Sequence, residues 1–150
     1  MSDTASYHIP DDRLYDGAQH LWVQHNPTTG QVTVGLDALG LASMGDLAYV
    51  TLRATGTAVR RGEPLGSLEA AKMTGDLNAP VSGTLVSANP AVLRDPSLIN
   101  RDPYGDGWLV TIAPSDWKGE SATLIAGAAL PEWVAAETER YRTQDITLLE

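Results

Sequence analysis

The sequence predicts a mostly β fold, a small barrel or sandwich with short edge helices and a C-terminal helix. Three observations predict it. Short runs of alternating apolar and polar residues recur from His20 to Ile112, each bounded by Gly, Pro, Asn or Asp. The connections between them are compact turn clusters, as an antiparallel meander requires. Past residue 114 the texture changes, and apolar residues recur at helical spacing. With 150 residues the chain has the length of one domain with a sizeable core.

Residues 1–19 are polar and read as an irregular N-terminal segment, with Pro10 and Asp11-Asp12 as breakers and Arg13-Leu14-Tyr15 as a short extended piece. The β domain is expected over 20–113. His20-Leu21-Trp22-Val23-Gln24 begins its first full strand. Asn26-Pro27-Thr28-Thr29-Gly30 turns the chain, and Gln31-Val32-Thr33-Val34-Gly35 returns it as a hairpin. Asp37 is placed to cap a short helix that ends at Gly45-Asp46. A strand follows over 47–52, then turns at Gly56 and at Arg61-Gly62-Glu63-Pro64. The strand over 65–70 leads up to Lys72, and residues 76–81 run back down.

Gly83-Thr84-Leu85-Val86 leads away from the turn at Ser82-Gly83. Residues 89–99 are loop or short helix, broken by Pro90 and Pro96. Asp102-Pro103-Tyr104-Gly105-Asp106-Gly107 is a dense turn ahead of the strand over 108–112. Residues 114–150 form a C-terminal extension, with a helix over 131–142 and a frayed end beyond it. Pro131 fits the first turn of that helix. Leu130, Trp133, Val134, Glu137 and Tyr141 share one side, with Trp133 and Tyr141 as anchors against the barrel. Glu137 with Arg140 and Glu139 with Arg142 are spaced to pair at i, i+3.

Composition narrows the function. The net charge is −9, and the acids are scattered along the chain. Nucleic acid and anionic membrane are poor partners for such a surface, because binding phosphate needs a basic patch. Basic docking surfaces on larger enzymes suit it better. There is no cysteine, which excludes disulfides, thiolate metal sites and cysteine nucleophiles. Met1-Ser2-Asp3-Thr4-Ala5-Ser6 has neither the basic nor the apolar region of a secretory signal. No apolar run has the length of a membrane span. A cytoplasmic protein is expected. The three histidines, His8, His20 and His25, are all N-terminal, and no serine sits in a nucleophile motif. A stand-alone enzyme and a metal site are therefore not expected.

The chemistry concentrates at Leu68-Glu69-Ala70-Ala71-Lys72-Met73-Thr74-Gly75-Asp76. Lys72 is one of two lysines in the chain, the other being Lys118. It stands at the expected tip of a hairpin, with acid three residues before it and small residues around it. That arrangement presents one amine, clear of the body and in one geometry, for acylation. Glu69, Ala71, Met73, Gly75 and Asp76 form its context. Glu69 and Asp76 flank the tip for a modifying enzyme, and Gly75 permits a tight turn. A lysine amine does not acylate itself near neutral pH, so an activating enzyme is implied.

Glu69-Ala70-Ala71-Lys72, Asn78-Ala79-Pro80-Val81-Ser82-Gly83 and Asp102-Pro103-Tyr104-Gly105-Asp106-Gly107-Trp108 together resemble the lipoyl-bearing H proteins of the glycine cleavage system. His20-Leu21-Trp22-Val23, Val32-Thr33-Val34-Gly35, Gly45-Asp46 and Leu98-Ile99-Asn100 match in order and spacing. The resemblance covers about residues 18–140. It implies a flattened barrel of the lipoyl/biotinyl type, made of two interlocked halves with helices at its edge. It also implies lipoic acid joined as an amide to Lys72 by a lipoate ligase or lipoyl transferase. The protein would then be a carrier with a swinging arm and not an enzyme. Its further partners would be glycine decarboxylase, aminomethyltransferase and dihydrolipoamide dehydrogenase. His20, Leu21 and Trp22 are candidates for the cleft that receives the arm.

The sequence also departs from the family. A glutamate that holds the aminomethyl cargo usually stands between the His and Trp of the first motif, and here that position is Leu21. Ala70-Ala71 replaces the usual Ser-Val before the lysine. Leu21 and Met73 would make a cleft for a cargo without an amine. Glu69 to Gly75 and Pro114-Ser115-Asp116-Trp117 resemble a second group on the same scaffold, the lipoate-binding proteins of the heterodisulfide-reductase-like sulfur-oxidation pathway. The sequence favours that pathway, with its heterodisulfide-reductase-like complex as partner, and a thiol-bound sulfur cargo. Glycine cleavage is the alternative. A biotin carboxyl carrier is a lesser one, since Ala71 stands where such carriers have Met. An interaction module with an unmodified lysine completes the set.

Overall fold

The computed structural model describes residues 8–143. The expected N-terminal irregularity over 1–7 and the frayed end over 144–150 lie outside them. Among the described residues, nine strands form two antiparallel sheets. The six-stranded sheet runs β1 (Leu14–Asp16), β2 (Leu21–His25), β3 (Val32–Leu36), β9 (Val110–Pro114), β8 (Gly83–Ala88) and β5 (Ala58–Val59) in spatial order. The three-stranded sheet runs β4 (Leu47–Leu52), β6 (Pro64–Ala70) and β7 (Thr74–Asn78). The expected mostly β architecture, with short helices and a C-terminal helix, is the one observed.

Alternation decides what each sheet buries. Along β2 and β3, Leu21, Val23, Val32, Val34 and Leu36 turn to the main core, where they meet Val50, Leu68 and Leu77 from the small sheet. Each such side chain, once fully buried, contributes about 1.5–3 kcal/mol. Trp22 faces the other way and forms a second cluster with Tyr15 and Leu130, closed by Tyr104, Trp108, Ile125 and Trp133. Its cross-strand partner is Gly35, where a Cβ would lie 2.5 Å from the indole. Only glycine lets the ring lie flat against the sheet there.

The helices are short and placed by local chemistry. Helix α1 (Ala38–Met44) begins where the Asp37 carboxylate accepts from the Gly40 amide at 2.8 Å. It ends at Gly45, whose φ of 82° suits a residue without a side chain. Helices α2 (Pro90–Arg94) and α3 (Ser97–Arg101) fill the stretch that the sequence left as loop or short helix. The C-terminal helix, α5 (Leu130–Thr143), buries Leu130, Thr138 and Tyr141. Its Glu137–Arg140 and Glu139–Arg142 pairs form at 2.9 and 3.3 Å.

Two expectations need correction, and one element is new. The last barrel strand begins at Val110 and not at Trp108, because the Asn89 side chain donates to the Asp106 and Trp108 carbonyls and holds that turn open. Helix α4 (Trp117–Ser121) was not anticipated, since five residues carry too little periodicity to read. Gly75 makes no tight turn: it lies inside β7 opposite Leu68, and the turn is made by Ala71-Lys72-Met73.

Candidate functional site

Strands β6 and β7 pair from Glu69 opposite Thr74 down to Pro64 opposite Asn78. Lys72 therefore stands at the end of a hairpin that is the centre and edge of the small sheet. The tip is braced by backbone hydrogen bonds. The Ala70 amide donates to the Met73 carbonyl at 2.8 Å and closes the turn. The Ala71 amide donates to the Asp46 carbonyl at 3.0 Å, and the Lys72 amide to the Met44 carbonyl at 2.9 Å. These tie the tip to the end of α1 and the start of β4. Ala71, Lys72, Met73 and Thr74 are all exposed. An exposed side chain on a pinned backbone is what presenting one amine requires.

Beside the tip lies a cleft of about 180 Å³ between the two sheets. Leu21, Leu36, Met44, Leu68 and Met73 give it apolar walls. Gln19, His20, Ser43, Asp76 and Asn78 supply the polar ones. Met73 reaches the cleft although 41% exposed, whereas Leu21 is 1% exposed. Of the predicted site residues, the structure thus brings Met73, Asp76, His20 and Leu21 together around the cleft, with Lys72 on the tip next to Met73. Glu69 and Ala71 stay on the hairpin outside the cleft walls.

Trp22 does not reach the cleft. Successive residues of a strand point to opposite faces, so placing Leu21 inside puts Trp22 outside. There its Nε1 donates to the Pro103 carbonyl at 3.0 Å, and the Arg13 guanidinium lies 4.6 Å above its ring. A larger cavity, about 860 Å³, lies elsewhere: it runs along α5 past Ile9, Val134 and Thr138, and no hairpin residue lines it.

One buried polar cluster backs the cleft, and sequence reasoning found only its first member. His20 Nδ1 lies 3.2 Å from Asp37 Oδ1, and its Nε2 lies 2.8 Å from Glu137 Oε1. The Tyr141 hydroxyl lies 3.2 Å from the same Nε2 and donates to the Leu39 carbonyl at 3.1 Å. His20 itself adopts φ 57°, an uncommon backbone state for a residue with a side chain. Burial alone would push its pKa down, but Asp37 and then Glu137 outweigh that and hold it above the ordinary value. The Arg140 guanidinium and His20 in turn hold the Glu137 carboxyl below the usual range, against its partial burial.

The family described as "Glycine cleavage H-protein" matches residues 13–137. The chain belongs to that family. A solved glycine cleavage system H protein from Mycobacterium marinum superposes with a TM-score of 0.74 at 35% identity, covering 87% of this chain and 99% of that one. The two-sheet fold is thus the lipoyl-type barrel-sandwich of the glycine cleavage H proteins. The glycine cleavage system H protein of Halorhodospira halophila is 38% identical over 86% of this chain and 97% of its own. Glycine cleavage system H protein 3 of Aquifex aeolicus is 42% identical over 71% of this chain, a match that spans 66% of the Aquifex protein. Glycine cleavage H proteins carry lipoate covalently attached to a lysine. Among the described residues, no helix is long and apolar enough to cross a membrane.

Proposed function

We propose that Lys72 is the lysine that carries the lipoate, through an amide on its side-chain amine, and that the protein is a glycine cleavage carrier. One observation carries the site. The chain has two lysines, and only Lys72 stands on a braced hairpin tip beside a cleft. Lys118 lies on α4, away from both.

The residues present fit such a group. The exposed tip gives a modifying enzyme access, and the apolar walls suit a hydrocarbon chain and ring. Leu21, Leu36, Met44, Leu68 and Met73 would shelter it, and Gln19, Ser43, Asp76 and Asn78 would meet its polar end. When bound, the dithiolane supplies redox and acceptor chemistry that a cysteine-free chain lacks. The protein presents, tethers and shelters it, acting as a carrier in the cytoplasm and not as a catalyst. Tethering makes each encounter with a docked enzyme local, with effective concentrations on the order of millimolar.

Two features support the glycine pathway: the names of the relatives, and Asp76. Leu21 removes a carboxylate from one wall, but Asp76 places one on the other. A carboxylate is the natural partner for a cargo that bears an ammonium. Loading would require a lipoate ligase or lipoyl transferase. Glycine decarboxylase, aminomethyltransferase and dihydrolipoamide dehydrogenase would be the further partners. Leu21 favours a second reading, a thiol-bound sulfur cargo exchanged with a heterodisulfide-reductase-like complex.

The test is the intact mass of the protein from its host, with peptide mapping around Lys72. A lipoyl increment on that peptide supports the carrier reading. A biotin increment, or an unmodified lysine, overturns it. Glycine decarboxylase is then offered the lipoylated protein with labelled bicarbonate. Glycine-dependent exchange supports the glycine pathway, and silence supports the sulfur reading.

A further inference from the structure

The strands of the small sheet carry one large exposed hydrophobic side chain. It is Tyr49, 68% exposed, the most exposed large hydrophobic side chain among the described residues. It lies opposite Glu69 in the β4–β6 ladder, and Glu69 lies opposite Thr74 across the hairpin. Tyr49, Thr51, Ser67, Glu69 and Thr74 line a shallow groove of about 290 Å³ that includes the last ladder pair below the lysine tip. The groove is independent of the arm cleft: the two share only Leu68 of their walls.

We propose that this groove is the docking surface for the enzyme that acylates Lys72, with Tyr49 as its apolar anchor. The inference rests on Lys72 being the modified lysine. An acylating enzyme must contact the tip, and the groove begins two residues from Lys72, at Thr74. A single well-exposed aromatic on a flat polar face is the kind of residue that carries a disproportionate share of binding energy. The face is acidic as well: Glu69 lies in it, and exposed Asp76 stands opposite Ser67 of the groove in the β6–β7 ladder. Its partner therefore presents basic residues around an apolar pocket that takes the phenol ring.

The Thr51 and Ser67 hydroxyls bond each other at 2.7 Å across the groove floor and keep it flat. The reaction served is amide formation from an acyl adenylate. The Lys72 nitrogen bonds to the acyl carbon, the carbon–oxygen bond to the adenylate phosphate breaks, and the amine gives up a proton. Adenylate is the leaving group.

The experiment takes the unmodified full-length protein with a lipoate–protein ligase, lipoate, ATP and magnesium. Mass gain is followed at several carrier concentrations. Tyr49→Ala is expected to raise the KM for the carrier about tenfold and to leave kcat near wild type. Leu93→Ala, at an exposed leucine on α2, is expected to change neither. Thr74→Arg adds a cation to the groove and is expected to raise KM at low salt, less so as salt is added. Circular dichroism establishes that each variant is folded. A wild-type protein that gains no mass overturns the assignment of Lys72. A wild-type protein that is modified, beside a folded Tyr49→Ala with KM within twofold of it, overturns the docking surface alone. A loss in Tyr49→Ala confined to kcat overturns it too.

Discussion

His20 Nε2 stands 2.8 Å from Glu137 Oε1, across 117 positions of sequence. Through this contact a residue of the cleft wall is tied to the C-terminal helix. The other ring nitrogen faces Asp37, the N-cap of α1. One imidazole therefore joins three parts of the chain behind the site.

This bridge makes stability depend on pH. His20 has a folded pKa raised above its unfolded value of about 6.5. Its contribution is fully present below about pH 6.5 and is lost as pH rises through the folded pKa. Glu137, held below its ordinary value, behaves oppositely. Its contribution is present above about pH 4.5 and is lost as pH falls through its folded pKa. The groups that face the ring are Asp37, Glu137 and Tyr141, with Arg140 on Glu137. Urea midpoints are expected to fall from pH 6 toward pH 9 in the wild type. His20→Gln is expected to flatten that slope. It is also expected to cost about 2–4 kcal/mol at pH 6, because the fully buried Asp37 loses its imidazole partner and keeps the Gly40 amide. An unchanged slope in the variant would place the pH dependence elsewhere.

Lys72→Arg separates the arm from the fold. The side chain is exposed, and the tip is held by backbone groups that arginine keeps. Stability is expected to stay within about 0.5 kcal/mol of wild type. Modification is expected to vanish, because a guanidinium forms no amide with an acyl adenylate. Thermal melts and intact mass check the two halves. A destabilised variant would mean that the Lys72 side chain itself supports the tip.

Much of this fold was legible because it is local. Alternation around Asn26-Pro27 marks the first hairpin, Asp37 marks a helix start, and Pro131 with Tyr141 marks the last helix. The hairpin under Lys72 was legible for the same reason. What escaped is non-local or too short. Nothing near His20 points to Glu137 or Tyr141, since their meeting depends on where α5 lands. The two-residue β5 exists only because β8 pairs with it. Tyr49 reads as one more strand aromatic, and its exposure follows from the irregularity between Leu47 and Tyr49. Trp22 was a missed inference: period two already separates it from Leu21.

Gly45 holds the tip in place from below. Its φ of 82° lies where side chains are strained, and a Cβ there would lie 3.1 Å from the Ala71 Cβ. Gly45→Ala is expected to cost about 1–2 kcal/mol. Its damage should concentrate at the tip, since Met44 and Asp46 on either side accept the tip's hydrogen bonds. Hydrogen exchange at the Ala71 and Lys72 amides is the direct check. Faster exchange there, with the β2–β3 amides unchanged, is the expected result. Uniformly faster exchange would show a global loss of stability instead.

Asp76→Asn decides whether the cleft holds a charged cargo. Asp76 is exposed on β7, so the substitution is expected to leave stability within about 0.5 kcal/mol. Asparagine keeps the shape and one acceptor oxygen but loses the charge. Hydrogen bonds to a charged group contribute about 1.5–3 kcal/mol, against about 1 for neutral ones. If the cargo bears an ammonium, glycine-dependent exchange by glycine decarboxylase is therefore expected to fall about tenfold with the lipoylated variant. Leu21→Glu tests the opposite wall. It restores a carboxylate at a position that is 1% exposed and is expected to cost at least about 2 kcal/mol in stability. An active wild type with an unaffected Asp76→Asn would mean that Asp76 does not hold the cargo. A silent wild type that gains exchange in Leu21→Glu would show that this cleft is shaped by Leu21 to exclude an amine. In that case the sulfur-bearing cargo becomes the better account of the site.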